Sequence, residues 1–370
     1  MTFQVHDLKY VQIPVGWDAS YLENFKMSDG INFAQVVGDI EGALRVFNTE
    51  MPWYNNFITI TDEPAVEYPQ GNLVTQPHSE YTPPTPQRAD FTGHMLPVIE
   101  RDTGFRFTKD FFVKGRMSRV DGSIRAGLDA FRQYREYLVV RRALTRSDDT
   151  GESKGLGSSG YSPGFATTAA QTSVDYIPLR YGGETFDNTH EHYTSLAAAS
   201  LETGIKAQIT NLREHGHPPP YELWISTEDV GTVAALTGFT DILPVTIIDR
   251  DAAQAVRNPT TPGSVPYYIG TYADGKGADA WVRVVPRVPQ YYYFMSKPYG
   301  FGDPRNPFRL RFDPRWGPEG VMLIATDMTY PLHSAYLFEA KGVGVGEDRT
   351  NGAAMFIDAG ATWADATVPE

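Results

Sequence analysis

Two short motifs and a set of arginines are the places in this 370-residue chain where residue type and spacing suggest chemistry. His190-Glu191-His192 is the most metal-like triplet. Its two imidazoles are two residues apart, so on a helix they point to different sides, whereas zinc-binding helices set His four apart, as in H-E-x-x-H. The triplet reads better as a helix cap and first turn with solvent-facing His. His215 and His217 flank the end of the same helical pattern, where His suits the negative pole, and His78, His94 and His333 are isolated. Gly155-x-Gly157-x-x-Gly160 has the letters of a dinucleotide fingerprint, which needs a strand before it and a helix after it. Here a helical pattern precedes and polar, β-branched sequence follows, so the segment reads as a linker or loop. Gly342-Val343-Gly344-Val345-Gly346 lacks a following Lys and reads as extended strand or turn. There is no G-x-S-x-G after a strand and no G-x-x-x-x-G-K-[ST]. With no cysteine, disulfides and thiolate metal sites are excluded. No catalytic residue, cofactor or metal is expected.

Arginine is the remaining candidate. A net charge of −13 argues against non-specific wrapping of nucleic acid, which needs surplus Lys and Arg. Locally the balance reverses: eight Arg face three acids between Arg116 and Arg146. Arg125, Arg132, Arg135 and Arg142 lie on one helical pattern there. Arg305, Arg309, Arg311 and Arg315 lie on strand and turn sequence. A salt-bridged interface is the plain reading of the second group and phosphate contact the sharper one.

The elements that carry these residues are legible from periodicity. Val120, Ile124, Leu128, Phe131, Tyr134 and Leu138 recur every three or four residues, which predicts an amphipathic helix over 118–146 of roughly 40 Å. Ser118 with Asp121 predicts its capping box. Gly122 and Gly127 within it mark close packing or a bend. Residues 1–30 read as an irregular arm, and a helix opening at Asp29 runs to Pro52. Phe57–Thr61 has strand composition, and so does the alternation at Phe105, Phe107, Phe111 and Val113. Between them, 62–97 is rich in Pro, Gly, Asn, Ser and Thr and cannot build its own core, which suggests a protruding β-arm. A helix is predicted over 189–215, then a buried strand at Tyr221–Ile225, a short helix over 226–239 and a strand at Leu243–Ile248. Beyond 256 the chain turns to β, with Asp274-Gly275-Lys276-Gly277 as a hairpin turn. The last residues read as a mobile tail. No transmembrane run and no secretory signal is present.

In this order the parts resemble the major capsid protein family of tailed bacteriophages, whose shell fold is shared with encapsulins. PPPYELWISTEDVGTVAALTGFTDILPVTIID resembles that family's axial domain, and FRLRFDPRWGPEGVMLIATDMTYPLHSAYLFEAKG its closing peripheral strands. The resemblance implies an α+β shell fold: an N-terminal arm over 1–56, an extended β-loop over 57–115, and a peripheral domain with the spine helix over 116–186. An α/β axial domain over 187–290 and a return to the peripheral domain with the tail over 291–370 complete it. It implies a non-enzymatic virion protein, assembled in the host cytoplasm as hexamers and pentamers into an icosahedral shell around double-stranded DNA. The eight candidate arginines would make inter-subunit or interior contacts, with DNA touched only weakly. Portal and decoration proteins are implied as partners and no membrane is. No Lys occurs between Lys26 and Lys109, so an isopeptide lock from the loop tip is not expected. The chain opens directly into the arm, so a separate scaffolding protein is expected. The alternatives are an encapsulin-type compartment and, from another class, an α/β enzyme with a β-rich second domain.

Overall fold

A computed structural model describes residues 26–70, 90–108, 114–147, 164–165, 192–197, 200–241, 267–275, 279–316, 320–327, 332–346, 349–357 and 362–370. The N-terminal arm to residue 25, the loop tip at 71–89, the glycine-rich motif at 155–160, His190 and the strand expected at Leu243–Ile248 all lie outside them. Contacts divide the chain into two units. Unit 1 comprises 1–51, 98–135 and 312–341; unit 2 comprises 52–97, 136–311 and 342–370.

In unit 1, helix α1 (Phe33–Thr49) starts at Asn32, whose side chain accepts the Gln35 N–H while Gln35 returns the bond. This reciprocal box satisfies two of the four orphan donors of a helix start. The start expected at Asp29 is therefore corrected. Asp29 serves a different helix, α2 (Met117–Leu144), where its Oδ2 accepts the N–H of the first residue, Met117, at 2.8 Å. Ser118 already lies inside that helix, so the capping box expected there does not form.

The stripe of α2 is buried as its spacing requires. Val120, Ile124, Leu128 and Phe131 pack with Met27, Ile40, Leu44, Phe47, Val321 and Leu337 in one cluster. Gly122 points into open space, with nothing within 4 Å of where a Cβ would stand, so close packing does not explain it. Strand β4 (Ile99–Thr108) pairs antiparallel with β13 (Leu332–Val345), as does β12 (Met322–Asp327).

Unit 2 holds a seven-stranded mixed sheet. Its strands are β5 (Tyr193–Leu196), β6 (Tyr221–Ile225), β7 (Phe239–Asp241), β8 (Tyr267–Ala273), β9 (Asp279–Val284), β10 (Tyr292–Ser296) and β14 (Ala353–Ile357). They lie in the order β5-β14-β10-β6-β9-β8-β7. Every residue of β6 is buried, because the strand is central and covered on both faces. Tyr221, Leu223 and Ile225 meet Leu201, Ile205, Ile209 and Leu212 of α3 (Leu201–Glu214) in one cluster. Trp224 is packed instead by Trp53, Phe57 and Phe294, with ring centroids 4.9, 5.0 and 4.7 Å away. Between β6 and β7 lies one short helix, α4 (Val230–Ala234).

Three sequence expectations are corrected in this unit. The helix predicted over 189–215 is a strand followed by a helix, because Tyr193–Leu196 pairs parallel with Ala354–Ile357. Helical spacing there coexists with a sheet partner distant in sequence, and the partner wins. Among the described residues, the two flanks expected to form the β-arm do not pair with each other, and Phe111 and Val113 lie outside those residues. β1 (Ile58–Thr61) pairs parallel with β11 (Phe308–Phe312), and the arm is built inside those flanks by β2 (Ala65–Gln70) and β3 (Asp90–Met95). Finally, the last nine residues, 362–370, are held against the unit by side-chain anchors rather than free. In the contact division 291–311 and 342–370 cluster with 136–290, because β10 and β14 lie between β5 and β6 in one sheet.

Candidate functional site

The eight arginines fall into three environments. Arg125, on α2, keeps a 74% exposed side chain and pairs with Asp121 one turn earlier at 3.0 Å. Arg315 is as open, at 72%, and forks onto Asp313, with Glu100 at 3.5 Å. Arg305 grips Asp303 through two parallel bonds of 3.0 and 2.9 Å and lies 4.0 Å over the Tyr299 ring. Solvent screening leaves such exposed pairs little net stabilisation, and their charge stays accessible to a partner.

Arg132 and Arg135 are drawn inward in unit 1. Arg132 bonds Asp129 at 3.0 Å and also Glu50, and both guanidiniums lie over the Phe47 ring. Arg135 meets Glu339 on β13 with bonds of 2.8 and 3.1 Å from Nε. Lys341 joins Glu339 at 3.5 Å. Burial, then the nearby Arg135 charge, push the Lys341 pKa down to about 8, against the pull of Glu339. One carboxylate is thus shared by two largely buried cations, which ties Arg135 to β13.

Arg142 is 2% exposed, and its guanidinium donates to the carbonyls of Thr145 and Ser147 at 2.6 and 2.9 Å. It seals the end of its own helix instead of reaching outward. Arg311 donates to the Leu96 carbonyl at 2.7 Å, just past the base of the β2–β3 arm, and Arg309 lies opposite Thr59 in the β1–β11 register. The eight residues therefore do not converge on one place.

The base of the arm is more tightly specified than its sequence suggested. β2 and β3 pair antiparallel from Ala65↔Met95 to Gln70↔Asp90, and beneath them Val66 and Leu96 form a buried cluster of two residues. His94 is 5% exposed and its Nε2–H donates to the Val345 carbonyl at 2.9 Å. Burial lowers its pKa to about 4, with Arg349 and Arg142 adding to that effect. No signal in the sequence marked this His, because its acceptor is a backbone group 251 positions away.

The histidines at the C-terminal end of α3 are also structural. His192, expected in solvent, is 1% exposed. Its Nδ1 lies 2.6 Å from the Gly352 carbonyl, which can only accept, so the Nδ1–H donates. In the neutral ring Nε2 is then the acceptor, taking the His215 Nε2–H at 3.0 Å. His217 bonds the hydroxyls of Tyr299 and Thr350 at 2.9 and 3.0 Å. Among the described residues no group of three or more His, Asp or Glu is placed to hold a metal.

No family model matches the sequence, and no curated protein matches it. Solved structures do. A chain of Mycobacterium phage Patience is 18% identical, with a TM-score of 0.56, over 96% of this chain and 97% of that one. A chain from the asymmetric unit of the bacteriophage PhiM1 mature capsid is 8% identical at a TM-score of 0.48, over 84% and 88%. One from the Cyanophage Pam1 capsid asymmetric unit is 12% identical at 0.43, over 85% and 95%. The chain thus shares its α+β fold with the Mycobacterium phage Patience chain, over nearly the whole of both.

Proposed function

We propose that this chain is the shell subunit of a tailed-phage capsid, assembling as hexamers and pentamers into an icosahedral particle around double-stranded DNA. The observation that carries the reading is the end-to-end likeness to a phage chain, covering nearly all of both molecules. A paired β-arm with a buried base of only two residues supports it, since such an element gains by lying on another copy. In this reading 1–56 is the N-terminal arm, 57–115 the extended loop, 116–186 the peripheral domain and 187–290 the axial domain. The segment 291–370 returns to the peripheral domain while lending β10 and β14 to the axial sheet. Of the eight arginines, Arg125, Arg305 and Arg315 are the most open to a neighbour or the packaged DNA, and Arg309 and Arg311 on β11 are further candidates. Arg132, Arg135 and Arg142 act first within the subunit. An acidic subunit suits a container that must not grip its contents. The role is structural rather than catalytic. A separate scaffolding protein, a portal and decoration proteins complete the set of partners, and the particle assembles in the host cytoplasm.

Negative-stain microscopy of the purified chain, alone and with its candidate scaffold, tests this. Closed icosahedral particles are the expected result. A well-behaved monomer or dimer under every condition overturns the reading, and uniform shells without scaffold overturn the scaffold requirement.

A further inference from the structure

The final nine residues, Thr362 to Glu370, form no helix and no strand, yet they are anchored at several points. The Trp363 ring stands edge-on to Tyr193 at 4.8 Å, with Tyr292 and Phe356 at 5.9 and 6.3 Å. Its Nε1–H donates to Asp365 Oδ1 at 2.9 Å, which fixes the two side chains relative to each other. Asp365 in turn accepts the backbone N–H groups of Arg146 at 2.7 Å and Ser147 at 3.3 Å. A carboxylate near a helix C-terminus is normally disfavoured by the dipole. Here it is held because those two donors lie just beyond Leu144, where the chain has left the helix. Burial alone would raise the Asp365 pKa, but the donors from Ser147, Arg146 and Trp363 hold it below the usual carboxylate range. Tyr292 donates its hydroxyl to the Ala364 carbonyl at 3.1 Å, and Arg287 reaches the Pro369 carbonyl.

The walls of this groove are fixed without the tail. Tyr193 is 1% exposed, its hydroxyl donates to the Thr145 carbonyl at 3.0 Å, and its ring stacks on Phe165. Tyr292 and Phe356 are direct partners in the β10–β14 register and stack at 4.4 Å. The segment thus relates to the groove as a ligand to a preformed site, through one aromatic anchor, one carboxylate and a few backbone bonds.

We propose that this groove, walled by Tyr193, Tyr292 and Phe356 and capped by the Arg146 and Ser147 N–H groups, is a peptide-binding site for a Trp-x-Asp segment, filled by the chain's own Trp363–Asp365 and open to the same segment of a second copy. The anchors named above all come from residues 363–369, so an identical segment arriving from another copy makes the same bonds. Exchange between copies rests on the shell reading, because a closed shell supplies the high effective concentration that makes it favourable. The groove itself does not.

The test is a fluorescence-anisotropy titration on the unassembled full-length chain carrying Trp363→Ala and Asp365→Asn, using a labelled nonapeptide of residues 362–370. Saturable binding is expected. Affinity should fall at least tenfold for the native chain, whose own tail competes, and at least tenfold for a peptide with both substitutions. Absence of saturable binding to a variant with native circular dichroism, or equal binding of the substituted peptide, overturns the proposal. Should the variant not fold, a protease site placed within 358–361 of the native chain replaces it. Displacement of the cut tail by excess labelled peptide supports the site, and unfolding on cutting overturns it. Neither measurement depends on particle formation, so the shell reading and this one fail separately.

Discussion

Asp29 and Met117 are 88 positions apart, and the Asp29 carboxylate accepts the Met117 N–H at 2.8 Å. The long helix α2 is thereby started by a residue from the segment that precedes α1. Asp29→Ala is expected to cost about 1 kcal/mol, the usual loss of a capping carboxylate. Ser118→Ala, inside the helix, should change stability by no more than about 0.5 kcal/mol. Urea melts of the two variants compare them directly, and equal losses would contradict the assigned cap.

The buried network at Arg135, Glu339 and Lys341 should be far more sensitive. Glu339→Gln leaves two buried cations without their carboxylate, and the expected loss is about 3–5 kcal/mol. Asp121→Asn, which breaks the exposed pair with Arg125, should cost no more than about 0.5 kcal/mol. Thermal unfolding monitored by circular dichroism should separate the two by many degrees; similar midpoints would contradict the burial of the network.

Stability should fall on acidification, and His94 accounts for a definable part of it. Its folded pKa, near 4, lies below the unfolded value of 6.5. Between those values the unfolded chain binds a proton that the folded chain excludes, so stability declines as pH drops from about 6.5 to 4. The His94→Gln variant, which retains a side-chain donor for the Val345 carbonyl, should flatten that slope. The check is the midpoint of urea unfolding at pH 7, 6, 5 and 4; an unchanged slope would mean His94 is not the excluded site.

Gly122 lies on α2 with open space where a Cβ would be. Gly122→Ala should therefore stabilise the chain by about 1 kcal/mol through helix propensity alone. If particles form, that variant also asks whether Gly122 serves as a bend between shell states: a stabilised subunit with impaired assembly would say that it does.

Replacing residues 71–89 with a short turn joining Gln70 to Asp90 keeps every paired residue of β2 and β3. The expected product is a folded subunit with native circular dichroism that forms no closed particles by microscopy. Normal particles would show that the arm's outer part is dispensable.

What the amino-acid sequence determined by itself is what local physics encodes. The three-to-four spacing of Val120, Ile124, Leu128 and Phe131 required a helix with one buried face, and the apolar Leu223-Trp224-Ile225 stretch pointed to a buried strand. The Asp274-Gly275 turn pointed to the β8–β9 hairpin, and the scarcity of aliphatic residues in 62–97 pointed to an element with little core of its own. The order of these parts was enough to suggest the α+β shell fold. Tertiary structure decided everything that depends on a partner distant in the chain. Tyr193–Leu196 is a strand because β14 lies beside it, although its own spacing suits a helix. His192 is buried because Gly352 and His215 meet both its nitrogens, and Asp29 became a cap because Met117 begins a helix next to it. The tail is the sharpest case. Its nine residues have no periodicity and no apolar run to read, and a lone Trp in a polar segment is the single signal they carry. That Trp363 and Asp365 are held follows from an aromatic groove and two N–H groups, which only the folded chain assembles.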